Sequence, residues 1–273
     1  MLFLIGIGLC NPSDITVRGL EIVRKCEFVY LEIYTSLSAS KSDLEIFYGV
    51  TIISADRQMI EEQADEILQN AKDNDVAILV IGDPLSATTH IDLIIRARQM
   101  GIKTDVVHNA SIFNAIAITG LQLYRFGETV SIPFSHELGE NRTVSFVEKI
   151  VENKKRKLHT LCLLDIRVNE VDWAILARDY KKVTGPPRFM TIKEAIELII
   201  EASKLTNNED VLNEQSLAVG VARLGASNQY IGFQRLSHLR AVDFGSPLHS
   251  LVILGDLHHM EKEYLEMYSI DIK

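Results

Sequence analysis

The stretch Leu79-Val80-Ile81-Gly82-Asp83-Pro84-Leu85-Ser86-Ala87-Thr88-Thr89-His90 separates a wholly apolar run from one with helical spacing. Extended back through Val76-Ala77-Ile78, the first part is the pattern of a parallel strand buried on both faces. It stops at Gly82-Asp83-Pro84, where a flexible residue, a short acceptor and a residue without a backbone donor take the chain out of a sheet. Thr88 and Thr89 are expected to cap the helix His90 to Met100, which ends at Gly101. In open α/β sheets ligands lie beyond the carboxyl ends of the strands, which puts Asp83 to Ala87 on the ligand edge.

Working outward, Leu2 to Gly8 reads as a first strand running into a glycine turn. Ser13 or Asp14 is expected to cap a helix through Val17, Leu20, Ile22 and Val23, and Phe28 to Leu31 returns as a second strand. Gly6, Gly8 and Glu32 occupy the places of a dinucleotide fingerprint, but Asn11-Pro12 stands where its third glycine belongs. A dinucleotide-binding oxidoreductase is therefore one alternative. Ser42 to Tyr48 reads as a helix, Val50 to Ser54 as a strand, and Asp56 to Lys72 as an amphipathic helix with Ile60, Ala64, Ile67 and Leu68 inward. With Ile102 to Val107 as a fifth strand, the alternation predicts a doubly wound parallel sheet. His108 to Ala115 is a second strand-to-helix turn, to be capped by Asn109 or Ser111, and two such turns at one sheet edge make a crevice.

The domain change is placed between Gly120 and Pro133, giving a parallel-sheet α/β domain over 1–120 and a second α/β domain over 121–273. In the latter, Val144 to Lys157 reads as a helix whose closing Lys154-Lys155-Arg156-Lys157 opposes the dipole's negative end. His159 to Ile166 reads as a strand, Thr191 caps a helix to Leu205, Leu217 to Ala222 and Leu251 to Leu254 are strands, and Leu257 to Tyr268 is a terminal helix.

The chain has 273 residues and a net charge of −9, too acidic for a broad phosphate-tracking surface, so no nucleic-acid partner is expected. No apolar run approaches the roughly 20 residues of a membrane span, and an intracellular, cytoplasmic protein is expected. Its 3 cysteines are scattered and form no Cys-x-x-Cys pair. His258-His259 beside Asp256 reads as a surface pair, since neighbouring helix positions point apart, and no metal is expected. No Gly-x-Ser-x-Gly elbow appears. What remains is a pair of polar, glycine-containing βα loops suited to a small molecule bound mainly by backbone groups.

Beyond these readings, Gly6-Ile7-Gly8-Leu9, Asp14 to Leu20, Tyr30 to Ser36, Gly82-Asp83-Pro84, Ala87 to His90, His108 to Ile112 and Gly120 to Tyr124 together resemble the diphthine synthases, a methyltransferase family of the tetrapyrrole methylase superfamily. The resemblance continues through Thr160 to Ile166, Pro186-Pro187-Arg188, Gly220 to Arg223 and Pro247 to Ser250, so it covers nearly the whole chain. It implies two α/β domains with S-adenosyl-L-methionine in the cleft between them, S-adenosyl-L-homocysteine as the spent product, and a homodimer. It implies methylation of the aminocarboxypropyl-modified histidine of translation elongation factor 2; methylation of a tetrapyrrole or of ribosomal RNA is the alternative within the superfamily. Carried over by motif, the cofactor contacts are Leu9, Asp83, Ser86, Ser111, Ile112, Leu164, Leu224 and His249, with no catalytic residue assigned. Cys10-Asn11 stands where the family has Gly-Asp, and Ser86 where it has glycine; a glycine needed there for a positive φ would leave Ser86 strained.

Overall fold

The computed structural model describes residues 1–34, 40–134, 144–168 and 185–270. The chain forms two compact units, one of Met1–Ala115 with Arg167–Pro187 and one of Ile116–Ile166 with Arg188–Lys273. The division thus falls after Ala115 rather than at residue 120, and 167–187 belongs with the first unit. Packing, not chain order, decides membership, and a contiguous sequence boundary cannot express a returning segment.

In the first unit β1 (Leu2–Gly6), β2 (Phe28–Glu32), β3 (Ile53–Ala55), β4 (Val76–Val80) and β5 (Thr104–Val107) form one sheet in the order β3-β2-β4-β1-β5. Every pairing is parallel. The continuous apolar run is the central strand, and all five of its residues are 0% exposed because helices cover both faces. Alternate residues feed two cores: Val76, Ile78 and Val80 pack with Ile67, Leu68 and Leu93, while Ala77 and Leu79 pack with Val23, Leu44 and Tyr48.

Helix starts differ from the sequence reading where a side chain found a better partner. The helix α1 (Val17–Val23) is capped by Thr16, whose side chain accepts from the Gly19 amide. Neither Ser13 nor Asp14 does this; Pro12–Asp14 is a separate turn, and the Asp14 carboxylate accepts from the Cys10 and Asn11 amides at 3.0 and 2.9 Å. The helix α2 (Lys41–Tyr48) follows Ser40, which accepts from the Asp43 amide. The expected helix from Asp56 to Lys72 is two pieces, a wide turn Gln58–Glu62 and α3 (Asp65–Asp73). The Gln63 amide reaches the Gln58 carbonyl at 2.8 Å, an i→i+5 bond that breaks regular winding while Ile60 and Ile67 both stay buried. Likewise α4 (Ile91–Gln99) has no threonine cap. Thr88 Oγ1 donates to the Pro84 carbonyl at 2.6 Å and Thr89 Oγ1 to Glu61 at 2.8 Å. The short α5 (Ile112–Ala115) ends the unit.

In the second unit β6 (Val130–Ile132), β7 (Thr160–Leu164), β10 (Leu217–Ala222), β11 (Tyr230–Arg235) and β12 (His249–Ile253) run in the order β11-β10-β12-β7-β6. The pair β6–β7 is parallel and the rest antiparallel. Two further two-residue strands, β8 (Ile166–Arg167) and β9 (Arg188–Phe189), complete the numbering. The strands β6 and β11 escape sequence reading because one has three residues and the other is interrupted by Gly232 and Gln234. Helix Ser145–Lys155 is α6, and helix Ile192–Leu205 opens on a capping box in which Thr191 and Glu194 bond each other's amides, as their spacing predicts. The terminal helix is shorter than expected, His259–Leu265 followed by the tight turn Glu266–Tyr268.

Candidate functional site

Three loops meet at the carboxyl edge of the first sheet. The β1 and β4 loops exchange amide hydrogen bonds, Gly82 to the Gly8 carbonyl at 2.7 Å and Gly8 to the Gly82 carbonyl at 3.3 Å. Only glycine allows this approach. A Cβ on Gly6 would lie 2.6 Å from the Gly82 carbonyl oxygen and 2.9 Å from Asn109 Cβ, while Gly8 and Gly82 have φ of +79° and +82°. The β5 loop is fastened to the same place by Asn109, whose side-chain amide donates to the carbonyls of Gly6 and Asp14, each at 2.9 Å. Asn109 therefore joins loops instead of capping α5, and its Oδ1 accepts from the Ala110 amide.

Asp83 sits at the centre, 6% exposed. Its Oδ1 accepts from the Leu85 amide at 2.9 Å and Ser86 Oγ at 3.2 Å, and its Oδ2 from His108 Nδ1 at 2.7 Å and the Asn109 amide at 3.1 Å. Burial alone pushes its carboxyl pKa up, but the Leu85, His108 and Asn109 donors together outweigh that and hold it below the ordinary value. Four protein donors meet this carboxylate, which organises the loop. The Ser86 hydroxyl is one of them, and the left-handed residue is its neighbour Ala87, at φ +59°. The strain expected at Ser86 therefore falls on Ala87.

Leu9 is half-buried directly after the Gly8 bridge. Ser111 is 6% exposed, its amide donating to Asn114 Oδ1 at 2.8 Å, and Ile112 begins α5 beside it. Gly82 faces Ser111 Cβ at a distance of 3.7 Å from a built Cβ. The first unit thus brings together Leu9, Asp83, Ser86, Ser111 and Ile112. Burial and the Asp14 charge push the Cys10 thiol up, the opposite of what a nucleophile needs. Glu32 does not fit the dinucleotide alternative: it is 0% exposed, accepts from the Tyr34 amide at 3.1 Å and lies 3.7 Å from His90 Nε2, so it is turned away from solvent. His108 and Asn109 carry more of this edge than the sequence reading gave them; the signal was a donor-rich pair directly after a strand end.

In the second unit Leu164, Leu224 and His249 gather at one end of the sheet. Leu164 closes β7, His249 opens β12, and the register pairing Ser250 with Leu163 brings Leu164 level with His249. On the other side Ala222 pairs with His249, and Leu224 follows two residues later. His249 Nε2 donates to the carbonyls of Gly245 and Ser246 at 3.1 and 3.2 Å. Its Nδ1 is buried and has no hydrogen-bond partner among the described residues. Burial pushes the ring's pKa down, so it is neutral with a bare Nδ1 acceptor.

The histidine pair is built differently from expectation. His258 caps the terminal helix in a box with fully buried Glu261, and the His258 and His259 rings lie 4.1 Å apart. They do not point apart, because His258 precedes the helix. Among the described residues, no three His, Cys, Asp or Glu side chains are grouped to hold a metal, and no helix is long and apolar enough to cross a membrane.

Comparison with known proteins agrees with this architecture. Residues 1–239 match the family model described as Tetrapyrrole (Corrin/Porphyrin) Methylases. The diphthine methyl ester synthase of Homo sapiens is 48% identical over 99% of this chain and 95% of its own length. That of Schizosaccharomyces pombe is 47% identical over 100% and 96%. A crystal structure of diphthine synthase superposes with a TM-score of 0.81 at 33% identity, covering 98% of this chain and 95% of that one. With the parallel sheet, its glycine-lined loops and full-length similarity all in agreement, the chain belongs to the tetrapyrrole methylase family and, within it, to the methyltransferases called diphthine methyl ester synthases.

Proposed function

We propose that the protein methylates the aminocarboxypropyl-modified histidine of elongation factor 2, using S-adenosyl-L-methionine, and that its product is the methyl ester named in its relatives. The observation that carries the cofactor reading is the glycine-dependent junction at the first sheet's edge, where Gly6, Gly8 and Gly82 let the β1, β4 and β5 loops close on one another beside Leu9, Asp83 and Ser111. When bound, the cofactor supplies a methyl group already activated on a sulfonium. Leu9, Ser111 and Ile112 line its place in the first unit, and Asp83, with Ser86, shapes the loop that meets it. Leu164, Leu224 and His249 are the corresponding residues of the second unit, and the bare His249 Nδ1 offers an acceptor to a ligand N–H or O–H.

Transfer from a sulfonium needs in-line placement and exclusion of water more than an acid or base. The acceptor amine must be unprotonated, and desolvation lowers an amine's pKa, so a site that excludes water favours the reactive form. An esterifying step asks less, since a carboxylate is already nucleophilic at neutral pH. We further place the enzyme in the cytoplasm, as a homodimer, with elongation factor 2 as its protein substrate.

The test is mass spectrometry of elongation factor 2 carrying the aminocarboxypropyl histidine, after incubation with enzyme and S-adenosylmethionine. Several methyl increments on that residue are expected, one of them removed by mild base, which hydrolyses an ester and spares N-methyl groups. Equal methylation of unmodified elongation factor 2, or no increment on the modified form, overturns the assignment.

A further inference from the structure

Arg223, directly after β10, has a backbone φ of +52°, left-handed and uncommon for any residue but glycine. Such a conformation persists where the surroundings hold it. Here the backbone amide donates to the Leu248 carbonyl at 2.8 Å, extending the β10–β12 pairing by one residue. The side chain folds back over the segment that precedes β12. Its Nη1 donates to the carbonyls of Phe244, at 2.7 Å, and Ser246, while Nε donates to the Asn228 carbonyl at 3.1 Å. Gly245 makes the approach feasible: it is left-handed at φ +74°, and a Cβ there would come within 3.3 Å of Arg223 Nη1.

The Ser246 carbonyl is shared. It accepts from Arg223 Nη1 and from His249 Nε2, so the guanidinium and the imidazole are held on one oxygen. A neutral imidazole has one N–H, and two carbonyls facing Nε2 require it there, which leaves Nδ1 as the lone-pair nitrogen. Were Phe244 to Ser246 free to turn, those carbonyls would no longer face Nε2 and the ring would lose its single tautomer. The Phe244 ring also packs against the imidazole, with ring centroids 6.1 Å apart at an interplanar angle of 61°.

We infer that Arg223 is a positioning residue for methyl transfer: by clamping the carbonyls of Phe244 and Ser246 it fixes His249 with Nε2 as donor and Nδ1 as the acceptor presented to the cofactor. This rests on the proposed reading that His249 meets the cofactor. Arg223 itself need touch neither cofactor nor substrate.

The left-handed backbone supplies a clean variant, because glycine is at ease at that φ and Arg223→Gly removes the clamp without straining the turn. Three properties are to be measured on the full chain: the affinity for S-adenosylhomocysteine by calorimetry, the ligand-free melting temperature, and the 15N shifts of the His249 imidazole. Arg223→Gly is expected to fold with a lowered ligand-free melting temperature, since three hydrogen bonds are lost, to show His249 as a mixture of tautomers, and to bind S-adenosylhomocysteine roughly tenfold more weakly, the scale of one net hydrogen bond. Added guanidinium ion should restore part of that affinity in Arg223→Gly and none in His249→Ala. A single unchanged tautomer with unchanged affinity in Arg223→Gly overturns the proposal, as does weaker binding with no change of tautomer. His249→Ala separates the two levels. If it binds S-adenosylhomocysteine like the wild type, the underlying reading of His249 fails; if it binds weakly while Arg223→Gly does not, only the role of Arg223 fails.

Discussion

His108 Nδ1 donates to Asp83 Oδ2 at 2.7 Å, joining the loop after the fifth strand of the first sheet to the loop after its central strand. One partner is an exposed ring and the other a carboxylate shielded from water, so the bond lies at the boundary where solvent screening begins.

Because protein donors meet both carboxylate oxygens, Asp83→Ala is expected to lower ligand-free stability by roughly 1–2 kcal/mol, leaving the partly buried donors of Leu85, Ser86 and Asn109 without their acceptor. Thermal melts without ligand check this. Asp83→Asn should recover part of the loss, since its carbonyl oxygen still accepts while its NH2 opposes a donor. A melting temperature unchanged in Asp83→Ala would show that the loop does not depend on these bonds.

The lowered pKa of Asp83 gives a sign for acid stability. Above its unfolded value, about 3.9, the carboxylate is charged in both states and the folded form keeps the full benefit of its donors. As pH falls through the unfolded and then the folded value, that benefit is lost. Asp83→Asn should therefore lose less stability than the wild type between about pH 5 and pH 2, measured by denaturant unfolding.

Two buried histidines act in a higher window. Burial pushes the pKa of His159 down despite the Glu261 carboxylate beside it, and burial does the same for His249. A histidine lowered in the fold is neutral in both states above about 6.5; below that the unfolded chain gains a proton first, so stability falls as pH falls. The wild-type melting temperature should drop between about pH 7 and pH 5, and His159→Asn, less stable at the upper end, should show a shallower slope.

The β4 loop offers a neighbouring pair with opposite expectations. Ser86→Gly deletes the hydroxyl bond to Asp83 and frees the unfolded chain, so it should cost about 1 kcal/mol. Ala87→Gly relieves a left-handed alanine at φ +59° but adds the same unfolded-state freedom, so it should be neutral or stabilising by less than about 1 kcal/mol. Melting curves of the two variants, run together, give the order.

Gly6→Ala tests the junction of the three loops. The new Cβ would meet the Gly82 carbonyl at 2.6 Å and Asn109 Cβ at 2.9 Å, neither the end of a flexible side chain. Backbone must move, at a cost of about 1–3 kcal/mol, and calorimetry should show weakened S-adenosylhomocysteine binding in whatever fraction folds.

The sequence by itself determined the parallel sheet of the first unit, because Val76 to Val80 is apolar at every position and only a strand covered on both faces accepts that. It also determined the capped helix after Thr191, where the threonine-to-glutamate spacing is a local signal, and the residues of the family motifs. Tertiary structure decided which polar side chains serve which loop. Asp14, Thr88, Thr89 and Asn109 all have the chemistry of helix caps, yet each bonds elsewhere, to the Cys10 amide, the Pro84 carbonyl, Glu61 and the Gly6 carbonyl. A cap and a loop tie use the same atoms, and only the approach of distant strands determines which bond forms. The same holds for Ser86 and His249: whether the one is strained, and which nitrogen the other leaves bare, depends on Asp83 and on the carbonyls of Gly245 and Ser246.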